Sequence, residues 1–404
     1  MKIGKFSEIN KLSIDTIRHY MSLDLILPSK NGTQYEFDEA CQKDLEDILI
    51  FKSMGFELKE IKSIFYYKRL ASLTPYEENE YYKEIFKNKY EEIDSEIELL
   101  LKNRAVLEEK ISEISNKSTV AKRKIGIDIK VLSNICCVKC RGDLSLVDGI
   151  IENNQVINGK LKCDCGEEYL IDDGILIVDT IQQEFEEIKQ TRIIDYINNT
   201  NSNYLDNMYK GHEILYKNIN LEEYENKTML ELGSGLGFFL RRMYEHIPST
   251  STYIAVDHDI NRHRFLKSAL EKAEEKKNIV FICSDFLNLP IKDNKIDILF
   301  DISGSSNYGF ENEKFLLNSL DSYAKEKSEL IGSYIIFKNF NKGSDVKECY
   351  RKNFNKSFIK DSINSLGYKE RNEFVSDLVD EGGIYEPYFQ KGEKVYFYIF
   401  HGKR

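Results

Sequence analysis

No run of residues in this 404-residue chain is long and apolar enough to span a bilayer, and the opening MKIGKF lacks the apolar stretch of a secretory leader, so a cytoplasmic location is expected. Positive charge is also in deficit. The formal net charge of −11 excludes a surface coated for nucleic acid and confines any such contact to a local patch. Low-complexity tracts and internal repeats are absent. What is present, 41% hydrophobic and 31% charged residues, is the mixture of a soluble globular chain with two or more cores. Of the eight cysteines, half stand in two close pairs, which in a cytosolic chain points to metal rather than to disulfides.

From Phe86 to Ile114, apolar residues recur in steps of four and three through Tyr90, Ile93, Ile97, Leu100, Leu107 and Ile111, with Arg104 the polar member of the series. That is a heptad seam. The stripe covers about 42 Å at the usual helical rise, and it is too narrow to be buried by its own helix. A second copy of the chain is the expected partner, giving a homodimer through residues 86–114; a helix of an ordinary bundle is the alternative.

Ahead of the seam, Phe6, Ile9 and Leu12 share one helical face, Ser13 stands in an N-cap position, and Ile14, Ile17, Tyr20 and Leu23 resume the period. Pro28 and Asn31-Gly32 force a loop or hairpin that returns along Tyr35-Glu36-Phe37. A further helical pattern from Leu45 to Phe65 is broken at Met54-Gly55-Phe56. The runs Ile14-Asp15-Thr16-Ile17-Arg18-His19-Tyr20, Leu25-Ile26-Leu27-Pro28 and Gly55-Phe56-Glu57-Leu58-Lys59-Glu60-Ile61 resemble the MerR family of transcription regulators. The resemblance implies a winged helix-turn-helix that binds promoter DNA, with Thr16, Arg18, His19 and Tyr20 on the reading helix, Lys30 and Tyr35 in the wing, and a dimerising coiled coil behind. Arg18 is the chief contact, since a guanidinium can take a phosphate or a guanine edge; a surface ion pair is its other reading. Tyr35 stands where the family usually carries arginine, and acids balance bases across the head. Few phosphate contacts and a shallow salt dependence are therefore expected.

Lys122-Arg123-Lys124 reads as a solvated linker, after which come Cys136-Cys137-Val138-Lys139-Cys140-Arg141-Gly142 and Cys163-Asp164-Cys165-Gly166. Cys137, Cys140, Cys163 and Cys165 can place four thiolates around one Zn²⁺, with reduced, metal-free cysteines as the alternative and Cys136 as a spare. Strands such as Ile150-Ile151 and Val156-Ile157 look short, leaving the module hardly any core without its metal. With its ending Glu168 to Ile175, it resembles the small zinc ribbons that precede or activate methyltransferases acting on RNA or translation proteins.

Thr228-Met229-Leu230-Glu231-Leu232 has the character of a buried parallel strand, and Gly233-Ser234-Gly235-Leu236-Gly237 opens a helix from Phe238 to Tyr244. Phe238 occupies the position where a dinucleotide fingerprint needs a small residue, which disfavours a pyrophosphate cofactor. Tyr253-Ile254-Ala255-Val256 ends in Asp257, a carboxylate placed for ribose hydroxyls, and Val280-Phe281-Ile282-Cys283-Ser284 ends in Asp285, placed for an adenine amino group. Ile296 to Asp301 and Leu330 to Phe337 read as strands four and five, Phe354 to Leu366 as a helix, Lys394 to His401 as the last strand of a hairpin, and residues 185–225 as a helical lid. This order resembles class I S-adenosylmethionine (SAM) methyltransferases. The resemblance implies cofactor contacts at Glu231, Gly233, Ser234, Gly235, Gly237, Asp257, His258, Asp285 and Phe286.

Methyl transfer from a sulfonium demands alignment in a water-poor pocket and needs a base only for a protonated acceptor. Ser303 to Tyr308, where the family's substrate loop lies, lacks the Asn-Pro-Pro-aromatic run used on exocyclic amines, and no Pro-Cys pair offers the thiolate used on cytosine carbon. DNA base methylation is thus disfavoured, no catalytic residue is assigned, and Tyr308 is either an acceptor cover or a loop aromatic. The expected fold is multidomain α/β: a winged helix-turn-helix (1–75), a coiled-coil dimerisation helix (76–120), a zinc ribbon (130–180) and a Rossmann-like seven-stranded methyltransferase domain (185–404). The expected function is MerR-like regulation of transcription with a SAM-dependent methyltransferase as effector or enzyme, its acceptor a small molecule. An rRNA-type RNA methyltransferase and a catalytically silent SAM sensor are the alternatives.

Overall fold

Ser13 caps the second helix as its position implies, its hydroxyl accepting from the Thr16 amide at 3.0 Å, and this fixes the turn between α1 (Ile3–Asn10) and α2 (Ile14–Ser22). A computed structural model describes the chain except residues 33, 72–73, 117–122, 180–191, 303 and 389, and divides it into two units, Met1–Ser118 and Thr119–Arg404. In the first unit, β1 (Ser29–Asn31) and β2 (Gln34–Glu36) pair as the antiparallel wing. Helices α3 (Glu39–Ser53) and α4 (Leu58–Leu70) complete a core around Phe6, Ile17, Leu45, Ile61 and Phe65.

Helix α5 (Pro75–Asn116) is one unbroken element, about 60 Å long at the usual rise. Its beginning belongs to the head: Tyr82 and Phe86 stack at 5.8 Å and both lie against Phe51, while Lys89 reaches Glu60 at 2.9 Å. From Tyr90 to Ser115 every side chain is exposed, including Ile97, Leu100, Leu107, Ile111 and Ile114 of the seam. Arg104 forms an ion pair with Glu108 at 3.3 Å along the same helix. Within one protomer the seam is bare from Tyr90 onward. Residues 117–120 of the expected coiled coil lie outside the described residues.

The second unit is built on one twelve-stranded mixed sheet. Its strands in chain order are β3 (Ile127–Asp128), β4 (Leu144–Glu152), β5 (Gln155–Cys163), β6 (Glu168–Asp172), β7 (Ile175–Ile177), β8 (Thr228–Leu232), β9 (Thr252–Asp257), β10 (Asn278–Cys283), β11 (Ile296–Asp301), β12 (Ala324–Asn339), β13 (Lys369–Val375) and β14 (Lys394–Lys403). The run β10-β9-β8-β11-β12-β14-β13 supplies the expected seven strands, parallel through β12 and antiparallel at β14. The run does not stop at β10. Strand β7 pairs with it in parallel, Phe281 opposite Ile175, and carries the cysteine module into the same sheet.

Three sequence expectations change here. The two strands that hold Ile150-Ile151 and Val156-Ile157, β4 and β5, are nine residues each rather than short, joined at Asn153-Asn154, both with positive φ, as a right-twisted two-residue turn requires. The module is also not coreless, since Ile127, Val156, Leu161, Ile171 and Leu176 are buried in the same cluster as residues of β8 to β12. The 130–180 and 185–404 segments therefore fold as one unit. Lastly, the basic linker is tied down: the Arg123 amide donates to the Glu271 carbonyl, the Ile125 amide to the Glu271 side chain, and Lys124 pairs with Glu152; Lys122 lies outside the described residues.

Of the expected lid, residues 185–191 fall outside the described residues, and the rest forms α7 (Arg192–Asn198) and α8 (Ser202–Asn218). Helix α8 buries Leu215 in the core on the face of β14 that carries Ile399.

Candidate functional site

The glycine loop follows β8 directly and turns the chain into α9 (Phe238–Met243). Gly237 sits at φ 79°, and a Cβ there would stand 2.2 Å from Leu266 Cδ1 on α10 (Ile260–Leu270), so only glycine brings the two helices together. The loop is held to β9 by two amides, those of Gly233 and Ser234, which donate to the Val256 carbonyl at 2.9 and 3.0 Å. A Cβ on Gly233 would touch Gly304, at the start of α11 (Gly304–Gly309), at 3.5 Å and the Phe286 ring at 3.6 Å, whereas at Gly235, φ 52°, it would meet only the Gly233 carbonyl at 3.9 Å. The bare backbone of the loop is at Gly235.

Asp257 is 2% exposed and accepts from the Gly235 amide at 2.8 Å and the Asp259 amide at 2.9 Å. A carboxylate has further lone pairs, so two hydroxyls of a ribose remain within its capacity. Arg262 and His258 stand 3.8 and 3.7 Å away. Behind it, His263 is fully buried and burial holds its imidazole neutral, its pKa lowered. Ser234 Oγ is buried and has no hydrogen-bond partner among the described residues, a vacancy of donor and acceptor capacity at the mouth of the loop.

Glu231 lies on β8, 2% exposed, with Tyr253 donating to its Oε2 at 3.0 Å. Burial pushes its carboxyl up to about 8, and burial likewise raises Asp301, at the end of β11, to about 6, although the Ser305 amide bonds its Oδ1. An acid that stays protonated in the folded chain but ionises near 4.5 when unfolded makes the folded state hold the extra proton between those values. Stability is then highest below about 5 and falls as pH rises to about 8, by roughly 1.4 kcal/mol per pH unit for one such group. Glu231→Gln is expected to flatten this loss, read as melting temperature against pH; an unchanged slope would reject the assignment.

Asp285 caps the turn Phe286–Asn288, its Oδ1 accepting from Leu287 N at 2.8 Å. Its own amide donates to Asp179 Oδ2 at 3.2 Å, and Asn288 Nδ2 meets the same oxygen at 3.2 Å. Asp179, just after β7, carried no signal in the sequence. On the other side of the loop, Tyr196 of α7 lies 5.4 Å from Phe238 and donates to buried Glu386 at 2.7 Å. Tyr308 is half-buried, and Ser303 of the substrate loop lies outside the described residues.

The four cysteines meet as their spacing implies. Sγ atoms of Cys137, Cys140, Cys163 and Cys165 all lie within 4.8 Å of one another, with Cys137 to Cys165 at 3.5 Å and Cys140 to Cys163 at 3.3 Å. Burial opposes ionisation of Cys137, but the Tyr169 hydroxyl and the Cys140 amide outweigh it and bring the thiol down to about 6. Cys163 moves the other way, burial and neighbouring thiols overcoming the Cys165 amide. So many sulfurs at this separation ionise together only around a cation. Cys136 is buried outside the cluster.

On the head, Arg18, His19, Lys30 and Tyr35 are exposed, Thr16 is half-buried, and Lys30 lies 6.0 Å over the Tyr35 ring. Arg18 is held loosely by Asp15 at 3.4 Å. Tyr20 is a correction: it is 3% exposed in the head's core, because the helical period that places Ile17 inward places it inward too.

Comparison with known proteins matches residues 1–68 to the MerR HTH family regulatory protein and residues 223–383 to a methyltransferase domain. A 2-phytyl-1,4-naphtoquinone methyltransferase of Nostoc punctiforme is 24% identical over 173 residues, 43% of this chain and 72% of that enzyme. A phosphoethanolamine N-methyltransferase 1 of Triticum aestivum is 37% identical over 87 residues, 20% of this chain and 16% of that enzyme, so the match spans well under two thirds of its length. Among solved structures, a SAM dependent methyltransferase from Aquifex aeolicus overlaps 48% of this chain and 88% of its own at 18% identity and a TM-score of 0.33. Residues 1–68, which hold the winged head, thus match the MerR HTH family, and residues 223–383, which hold the glycine loop between β8 and α9, match a methyltransferase domain.

Proposed function

We infer that the protein is a homodimeric MerR-type regulator that binds promoter DNA in the cytoplasm and carries a methyltransferase acting on a small molecule. The observation that carries this reading is the union in one polypeptide of an exposed Arg18-bearing helix and the Asp257 pocket. Bound SAM would supply an electrophilic methyl group on sulfur. Asp257 would hold the ribose hydroxyls, Asp285 and Phe286 the adenine, and the bare backbone at Gly235 the amino-acid end, with Ser234 Oγ finding the partner it lacks. Glu231, neutral and buried under the loop, would help set the loop's height without adding charge. The four-cysteine cluster would hold Zn²⁺. Both curated relatives are named for small acceptors, a naphthoquinone and phosphoethanolamine, which supports a small molecule here.

Labelled SAM incubated with total cell extract tests the acceptor class: label on a small-molecule fraction is expected, and label on RNA alone would replace this reading with an RNA enzyme. For the head, Arg18→Ala is expected to weaken binding to the chain's own upstream DNA by about tenfold, one good base or phosphate contact, while leaving SAM affinity unchanged. Equal footprints from variant and wild type would remove Arg18 from the interface.

A further inference from the structure

The segment from Asp285 to Asp293 carries the adenine side of the donor pocket, and the cysteine module grips it at both ends. At the first end stands Asp179, bonded to the Asp285 amide and the Asn288 side chain. At the second stands Arg141, the residue after Cys140. Its Nη1 donates to the Leu289 carbonyl at 3.2 Å, and its Nη2 to the Ile291 carbonyl at 2.6 Å and to Asp293 at 2.9 Å. The guanidinium also lies 5.3 Å over the Tyr323 ring, whose hydroxyl donates to the same Leu289 carbonyl at 3.4 Å.

Arg141 is aimed by the knuckle at one end and held by the Leu289, Ile291 and Asp293 oxygens at the other. It sits at φ 62°, in the left-handed region that a side-chain-bearing residue enters at a cost. The turn is closed by two backbone bonds, Arg141 N to Cys137 O and Cys137 N to Gly142 O, both 2.9 Å. The cysteines flanking the turn belong to the metal cluster. A cation drawing Cys137 and Cys140 together would lock that turn; without one, the turn rests on those backbone bonds and on the weak thiol contacts to Cys165 and Cys163. The neighbouring backbone follows the same path, with Cys136 N donating to Pro290 O and Lys292 N to Asn134 O, both 2.9 Å.

We propose that Arg141 is a positioning residue through which occupancy of the cysteine cluster sets the adenine loop, so that metal and SAM bind with positive coupling. This rests on the donor-pocket and metal readings given above. The lever is short. From the Arg141 guanidinium to Phe286, whose ring lies 3.6 Å from where a Gly233 Cβ would be, the chain runs only through Leu289 and the capped turn. Coupling between linked sites is reciprocal: whatever factor the metal contributes to SAM affinity, SAM must contribute to metal affinity.

The experiment uses the full chain, loaded with Zn²⁺ and verified by elemental analysis, and titrates S-adenosylhomocysteine calorimetrically before and after chelation. Chelation of the wild type is expected to weaken binding by about tenfold, within the range of coupling between linked sites. Arg141→Ala, still holding its metal, should show the same weakening, and chelating that variant should add nothing; Arg141→Lys should restore part of it. In the reverse direction, saturating S-adenosylhomocysteine should slow Zn²⁺ loss to a chromogenic chelator for the wild type and not for Arg141→Ala. Unchanged affinity on chelation, or additive losses from chelation and Arg141→Ala, would overturn the proposal. A chain that takes up no Zn²⁺ would overturn it at the metal reading, and a loaded wild type giving no heat would overturn it at the donor reading, so the failures are distinct.

Discussion

Asp257→Ala is expected to abolish SAM binding, with affinity falling by roughly a hundredfold or more from the loss of two charge-assisted bonds at about 1.5–3 kcal/mol each. The carboxylate does two jobs. It offers the ribose an acceptor, and it already satisfies the amides of Gly235 and Asp259, so its removal leaves buried donors unpaired and lets the glycine loop sag. Melting temperature should fall as well. Asp257→Asn keeps the volume and one acceptor oxygen and should lie between the two in affinity. Calorimetric titration with SAM decides the matter: an alanine variant that binds like the wild type would remove Asp257 from the pocket.

Leu107→Glu combined with Ile111→Glu should turn a dimer into single chains. Both side chains are more than half exposed in one protomer, 62% and 63%, so charging them leaves the head and sheet untouched. Across a two-fold pair of α5 helices the same change removes four apolar side chains from an interface, about 1.5–3 kcal/mol apiece, and sets carboxylates against one another. Sedimentation at micromolar concentration should report half the wild-type mass, and DNA affinity should drop with it because two half-sites are no longer bridged. A wild type that already sediments as one chain would reject the dimer.

Local chemistry was legible and long-range pairing was not. Ser13 as a cap, Asn31-Gly32 in the wing, the glycine loop after β8 and the meeting of Cys137, Cys140, Cys163 and Cys165 all follow from residues close together in sequence or from ligand chemistry that tolerates no other geometry. The pairing of β7 with β10 joins segments roughly a hundred positions apart through backbone bonds that leave no mark on side-chain pattern, and Asp179 was hidden for the same reason. Tyr20 shows the converse failure. A position within a recognition helix named it a contact, whereas its spacing from Ile17 had already assigned it to the core. Glu231 shares the problem, since its protonation depends on burial that only the assembled sheet supplies.

The strand β7 that lies along β10 has a bearing on how such a chain can be dissected. An isolated catalytic segment beginning at residue 223 would leave the flank of β10 with a row of unmet amides and carbonyls, the kind of naked margin along which foreign strands stack. The hairpin of β6 and β7 thus works as a hem for the enzyme, and a dissection that keeps residues 168–177 keeps that margin closed.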